Sequence, residues 1–149
     1  MVFANEGLGE PTLLPTQFEC WRVDVGPLSM LAVHPVAPVI ASDQWREEHR
    51  LILAAAVDEE VDMIVGDLNA TADHAVLREL EEVGYRDAAE EANEGWQPTW
   101  PANNVGSVLP PLVRIDHVMV GPELGALDTR TVEIEGADHL ALIAVLARQ

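Results

Sequence analysis

Each of four short apolar segments, far apart in the chain, carries Asp, Asn or His side chains. The apolar runs have the length and composition of buried β-strands. In an open α/β sheet, the ends of the strands cluster at one edge of the molecule, so we expect these polar side chains to meet there. The segments are LAVHP with His34, IVGDLNAT with Asp67 and Asn69, VRIDHVMV with Asp116, and GADHLALIA with Asp138 and His139.

The first half of the chain predicts a hairpin followed by a helix, a strand and a second helix. Alternating residues from Gln17 and the turn at Gly26-Pro27 favour two antiparallel strands. Apolar residues at helical spacing predict a helix that starts at Ser42 or Asp43 and runs to about residue 60. VDMIVGD predicts a short strand buried on both faces. A second helix, capped by Thr71 or Asp73, ends before Gly84.

The second half predicts an irregular region over residues 86–111, then strands near 112–120 and 139–147 with an edge strand at 129–135 between them. The order indicates an α/β fold, a layered α+β sandwich in which helices cover one face of a sheet. Residues 1–16 are expected to be a loop or the remnant of a truncation. We expect residues 17–149 to form the single domain.

The composition excludes several functional classes. The 26 acidic residues face eight basic ones, all Arg, for a formal net charge of −18. Such an acidic protein repels nucleic acid, so we do not expect it to coat a polyanion, whereas a small phosphate substrate, or a polyanion reached only through bound divalent metal, is compatible. The absence of Lys fits a GC-rich genome, with a salt-adapted surface as the alternative. Cys20 is the single cysteine and cannot form an internal disulfide.

The sequence predicts neither a membrane-spanning segment nor a signal peptide. Its longest apolar stretches are far shorter than the roughly 20 residues of a transmembrane helix. The first residues lack a basic region followed by an apolar one. The chain as written is therefore expected to be cytoplasmic. A membrane segment upstream would place it at the membrane or outside the cell.

Asp67 and Asn69 lie two residues apart, so in an extended chain their side chains point the same way. An ionisable acceptor and a neutral donor could orient and deprotonate a water while holding a phosphoryl oxygen. The alternative is that Asp67 starts a turn and Asn69 caps the following helix.

Asp116 needs a partner because a lone carboxylate in so apolar a strand is costly to bury. An imidazole from a neighbouring strand, His139, could provide it, and His139 could then stabilise a transferring phosphate. Asp138 could hold a hard cation through oxygen. His34, at a strand exit, is either part of this group or a satisfied core histidine. His117 is interpreted as structural.

The motifs GDLNAT, TWP, RIDHVMV and ADHLALIA, in this order, resemble the C-terminal half of the endonuclease/exonuclease/phosphatase superfamily. The resemblance covers residues 17–147. It implies the DNase I-like four-layer fold, here with only one sheet and its covering helices. It also implies a hydrolase that cleaves phosphodiesters or phosphomonoesters with Mg²⁺ or Mn²⁺.

The resemblance implies a role for each matched residue. Asp67 would activate the attacking water and help bind the metal together with Asp138. Asn69 would contact the phosphate. His139, oriented by Asp116, would stabilise the charged transition state.

His34 would bind the phosphate or assist the leaving group. Substrate contacts are expected in residues 93–111, where Trp100 is a candidate and Trp96 lies nearby. DNA, RNA, sugar, inositol and lipid phosphates are all open as substrates.

The resemblance also predicts that a half is missing. The family's first half supplies a second sheet and the principal metal-binding Glu, and neither Glu6 nor Glu10 lies in a matching context. We therefore expect a truncated phosphoesterase, a fragment whose own activity is open. The alternative is a non-catalytic half-domain that forms a homodimer, or docks on a partner, through its exposed sheet face.

Overall fold

A computed structural model describes residues 4–5, 7–102 and 110–149. The elements follow in the order β1 (Thr12–Leu13), β2 (Trp21–Val25), β3 (Leu28–Val33), α1 (Pro38–Asp58), β4 (Met63–Asp67), α2 (Ala75–Glu82), β5 (Arg86–Asp87), α3 (Ala88–Glu91), β6 (Asp116–Val120), β7 (Leu124–Val132) and β8 (Ala141–Arg148). The predicted α/β class is confirmed.

One six-stranded sheet carries most of the strands, in the order β1-β2-β3-β4-β6-β5. Strands β3 and β4 run parallel, joined by α1, while the other neighbours are antiparallel. The apolar residues of β3, β4 and β6 that point toward α1 and α2 are fully buried, which fixes the sheet against the helices. This core includes Leu31, Ile52, Ile64, Leu77 and Met119.

A separate hairpin, β7–β8, packs on part of the opposite face of the sheet. Val120 and Leu124 are buried in this second cluster, against which Met63 and Leu146 pack. Of the predicted edge strand at residues 129–135, only 129–132 lie in a strand, as the last part of β7, and that strand belongs to another sheet. A sequence pattern gives the period of a strand but not its pairing partner, which explains the difference.

Several local boundaries differ from the sequence prediction. Thr12–Leu13 lies in the predicted loop but pairs with β2. Helix α1 includes Pro38, yet Ala41 is non-helical (φ −152°, ψ 83°), so the regular part begins near the predicted Ser42. Helix α2 is capped by His74 and not by Thr71 or Asp73.

The cap of α2 differs because the side chains of Thr71 and Asp73 bond to each other. The Thr71 backbone N–H also donates to His74 Nδ1 over 2.9 Å. The predicted stop at Gly84 is confirmed, with φ of 102° just after the helix. Part of the predicted irregular region 86–111 forms β5 and α3.

Within the part of the chain that the structure describes, no helix combines the length and apolar character required to cross a bilayer.

Candidate active site

The sheet brings the predicted site residues to one edge. His34 directly follows Val33, the last residue of β3, which pairs with Gly66 on β4. Asp67 ends β4 and lies opposite Asp116, which begins antiparallel β6. His139 stands just before β8. The register of β3, β4 and β6 aligns His34, Asp67 and Asp116, and the packing of the second sheet adds His139, so residues 33 to 72 positions from Asp67 form one cluster.

Gly66 makes the close approach of β3 and β4 possible. Its φ of 137° lies in a region that L side chains rarely adopt, and a Cβ there would stand 2.1 Å from the Val33 carbonyl oxygen. Only glycine fits without displacing backbone. The backbone neighbour that requires glycine here is Val33 of β3.

Asp67 is the centre of the cluster. Its Oδ2 lies 3.7 Å from His34 Nε2 and 3.9 Å from His139 Nε2. Its Oδ1 accepts a 2.7 Å hydrogen bond from the Asn69 backbone N–H. Burial raises the pKa of the Asp67 carboxyl, with Asp116 adding to it and the Asn69 N–H and the two imidazoles opposing. A more basic carboxylate in this position accepts a proton more readily.

His139 is oriented by Asp116 of β6, although it lies before β8 of the second sheet and not on a strand next to β6 as the sequence suggested. Asp116 Oδ2 accepts a 2.8 Å hydrogen bond from His139 Nδ1, so Nε2 is left to face Asp67. This hydrogen bond is the main reason why the pKa of His139 is raised, while partial burial opposes it. The cationic imidazole is thereby favoured beside the place where a phosphate would carry its charge.

Thr99 is a supporting residue that the sequence analysis did not assign. It is fully buried, and its Oγ1 accepts hydrogen bonds from the backbone N–H groups of Ile115 (3.2 Å) and Asp116 (3.3 Å). Its carbonyl accepts a 2.8 Å bond from Leu140 N–H, next to His139. One residue thus fixes the backbone on both sides of the Asp116–His139 pair. Its place in the TWP motif was the only available signal.

Asn69 adopts a left-handed conformation with φ of 47°. Its Nδ2 donates a 3.0 Å hydrogen bond to the Pro35 carbonyl, which ties the segment after β4 to the segment after β3. An amide carries two hydrogens on this nitrogen, so one donor remains for a ligand. The structure does not use Asn69 as a helix cap, because α2 begins six residues later, at Ala75, with His74 as the N-cap.

His34 is exposed rather than a satisfied core histidine, since 53% of its side chain is accessible. Its ring stacks on Phe18, with centroids 4.9 Å apart and an interplanar angle of 19°. Its backbone N–H lies 3.2 Å from Cys20 Sγ. An accessible imidazole held flat against an aromatic ring is well placed to contact a ligand at this edge.

Asp138 is exposed, and its carbonyl accepts a 2.7 Å hydrogen bond from Ala102 N–H. The carboxylates of Asp138 and Asp67 are oxygen donors of the kind that Mg²⁺ prefers. However, the described ranges contain no group of three or more His, Cys, Asp or Glu residues arranged to hold a metal. These residues alone do not fit a complete divalent-metal site.

The predicted substrate loop is only partly described, because residues 103–109 lie outside the described ranges. Trp100 is 42% exposed and pairs through its backbone with Val113, and Trp96 is 72% exposed. No hydrogen bond in the described part joins Trp100 to the cluster around Asp67, and its role as a substrate contact stays a prediction.

Comparisons with known proteins agree with this architecture. The model of the Endonuclease/Exonuclease/phosphatase family matches residues 4–139. A comparison with curated proteins finds no match.

Solved structures share the fold at low sequence identity. A functionally unknown conserved protein from Enterococcus faecalis has a TM-score of 0.66 and 19% identity over 88% of this chain and 55% of its own. A 3′ phosphatase from Neisseria, bound to a product DNA hairpin, has a TM-score of 0.74 and 19% identity over 95% of this chain and 72% of its own. A mannosyl-6-phosphatase from Bacteroides thetaiotaomicron has a TM-score of 0.59 and 13% identity over 95% of this chain and 67% of its own. The chain thus spans 55% to 72% of the length of these three structures.

Proposed function

The chain belongs to the endonuclease/exonuclease/phosphatase family, and from that premise we propose that it carries the water-activating and charge-stabilising residues of a metal-dependent phosphoesterase. The observation that supports this most is the position of Asp67. It lies between two imidazoles, His34 directly after β3 of the same sheet and His139 shortly before β8 of the second sheet, and His139 is held by a second carboxylate.

The residues suggest a division of labour in which water attacks phosphorus. Asp67 takes a proton from the water as the new P–O bond forms, which its raised pKa favours. His139 stabilises the charge that builds on the phosphoryl oxygens, and Asn69 donates a hydrogen bond to one of them. The bond from phosphorus to the leaving-group oxygen then breaks, and His34 gives that oxygen a proton.

Family enzymes generally use divalent metals, and we propose Mg²⁺ or Mn²⁺ here. Such an ion, when bound, would neutralise phosphate charge and polarise the P–O bond. Asp138 and Asp67 offer two suitable oxygen donors. Since the described residues offer no third ligand, a further carboxylate would have to come from another segment or another chain.

We propose a small phosphate ester as the substrate rather than a long nucleic acid. A net charge of −18 repels polyanions, and this repulsion is weaker for a ligand carrying one or two charges. The named activities of the solved relatives include both a DNA 3′ phosphatase and a sugar phosphatase, so the fold itself is compatible with either class.

The test is hydrolysis of p-nitrophenyl phosphate and bis(p-nitrophenyl) phosphate with Mg²⁺, Mn²⁺ or EDTA. We expect metal-dependent turnover that Asp67→Ala abolishes. Asp43→Ala is the matched control, because this carboxylate is 96% exposed on α1. Full activity in Asp67→Ala would refute the role of Asp67, and equal turnover with EDTA would refute metal dependence.

A second candidate is a non-catalytic module that pairs with another polypeptide. Two observations favour it: the hairpin β7–β8 covers only part of the sheet face, and Leu127 and Val145 on this hairpin are 65% and 44% exposed. The partner would be a second copy of the chain or a separate polypeptide that completes the sandwich. Light scattering after size exclusion decides between self-pairing and monomer, and turnover by the isolated chain would argue against a purely non-catalytic role.

A further inference from the structure

The segment Asp67–Thr71 is held from behind by buried side chains that take no part in the cluster around Asp67. His49 Nε2 lies 2.9 Å from the carbonyl of Leu68, to which Trp45 Nε1 also donates at 3.4 Å. His117 Nε2 lies 2.9 Å from the carbonyl of Ala70. These two carbonyls flank Asn69, the residue with positive φ.

His117 is linked in turn to a buried ion pair. Its Nδ1 lies 2.6 Å from Asp87 Oδ2, and Arg114 Nη2 approaches the same oxygen at 3.3 Å. The His117 side chain is completely buried, and those of Asp87 and Arg114 are only 5% and 10% exposed. Burial alone would raise the pKa of Asp87, but His117 and Arg114 outweigh it and lower that pKa, so the residue is a carboxylate.

Both partners of the His117 ring are therefore acceptors. A carbonyl oxygen accepts only, and an ionised carboxylate does the same. Each ring nitrogen thus faces one acceptor, Nδ1 the Asp87 carboxylate and Nε2 the Ala70 carbonyl. Asp87 thus orients the ring, and the ring fixes the Ala70 carbonyl.

The register of β6 gives this contact its significance. Asp116 and His117 are consecutive in the strand, so their side chains point to opposite faces. Asp116 reaches His139 on the side of the cluster, whereas His117 reaches the rear of the segment that contains Asp67 and Asn69. One strand therefore holds both sides of the candidate site.

We propose that His117 is a positioning residue: through the Ala70 carbonyl it fixes the segment Asp67–Thr71, so that Asp67 and Asn69 keep the geometry that hydrolysis needs. The claim that this positioning matters for catalysis rests on the proposed function. The claim that His117 fixes the segment does not, because it concerns only the backbone of residues Asp67–Thr71.

The test compares His117→Leu, which removes both ring nitrogens, with His117→Gln, which keeps a side-chain N–H donor on its amide. Tyr85→Phe is the matched control. Its hydroxyl is buried and donates to the carbonyls of Ala56 (3.1 Å) and Val61 (2.7 Å), before the start of β4 and away from the cluster.

The first readout is amide hydrogen exchange. Leu68 N–H bonds to the Ile115 carbonyl, and Asn69 N–H bonds to the Asp67 carboxylate, so both report on the segment. In His117→Leu we expect these two amides to exchange about tenfold faster relative to Ile64 within β4, as the loss of one hydrogen bond predicts. His117→Gln should recover part of the protection, and Tyr85→Phe should leave the ratio unchanged. An unchanged ratio in His117→Leu would overturn the proposal.

The second readout is turnover of the chromogenic esters, which separates this proposal from the proposed function. We expect kcat to fall at least tenfold in His117→Leu with little change in KM, and to recover partly in His117→Gln. A rise in KM with unchanged kcat would overturn the catalytic part. A wild-type chain without turnover would contradict the proposed function for the isolated chain, while the exchange ratio still decides whether His117 fixes the segment.

Discussion

Gly66→Ala adds a single methyl group where β4 approaches the backbone of β3 at Val33. The new Cβ would lie 2.1 Å from the Val33 carbonyl oxygen and 3.1 Å from the Val33 N and C atoms. These are backbone atoms of the paired strand, so no side chain can rotate away to relieve the clash. Strands β3 and β4 must separate, or β4 must change its conformation.

The expected loss of stability has two parts. Holding a non-glycine residue at φ of 137° costs about 1–3 kcal/mol. Forcing the strands apart adds the cost of overpacking, again about 1–3 kcal/mol. We expect the free energy of unfolding to fall by about 2–6 kcal/mol, which is a large share of the roughly 5–15 kcal/mol of a typical domain.

The assay is urea unfolding followed by far-UV circular dichroism. Gly95→Ala is the control, since Gly95 also has positive φ (70°) but a Cβ there would meet nothing within 4 Å. It should lose only the backbone part, about 1 kcal/mol. Equal losses in the two variants would refute the argument that the Val33 contact requires glycine.

Three further predictions concern ionisable groups. Asp116→Asn should lower the pKa of His139, because the Asp116 carboxylate is the main cause of its rise; an NMR titration of the His139 ring that gives an unchanged pKa would contradict this. In the wild type, the stabilisation from this pair should be present below the unfolded pKa near 6.5 and disappear as pH rises through the higher folded pKa. Burial lowers the pKa of His49 to about 4, so the folded state should lose up to about 3 kcal/mol as pH falls from 6.5 to 4. His49→Gln should reduce that slope in urea titrations at several pH values, and an identical slope would exclude His49 as its source. Cys20 is fully buried with a raised pKa, so it should react with a disulfide reagent such as DTNB only on unfolding; rapid labelling of the folded chain would contradict its burial.

Local pattern was sufficient to predict the elements that form the core. The hairpin around Gly26, helix α1 and the strand at Met63–Asp67 all follow from periodicity and turn residues within a few positions. The apolar run before Asp67 also required that this residue stand at a strand end, since a carboxylate is not buried in the middle of a strand without a partner.

Pattern was insufficient where several contacts compete. Thr71 is a good capping residue in sequence, but its side chain bonds to Asp73 and His74 instead, so α2 starts at Ala75. These partners are local, yet the sequence does not say which of the competing bonds forms. The strand near residues 129–135 has the right period, but only packing shows that β7 pairs with β8 in a second sheet.

The sequence by itself determined which residue types stand at the strand ends and that they belong to one family of folds. Only the tertiary structure decided what each of them contacts. The pairing of Gly66 with His117 and of Asp67 with Asp116 sets which face each side chain occupies. A shift of one residue in that register would exchange Asp116 and His117 between the candidate site and the core. The physical reason is that the alternation of side chains along a strand depends only on neighbouring residues. The register of a strand and the strand it pairs with depend on the energy of the whole packed sheet.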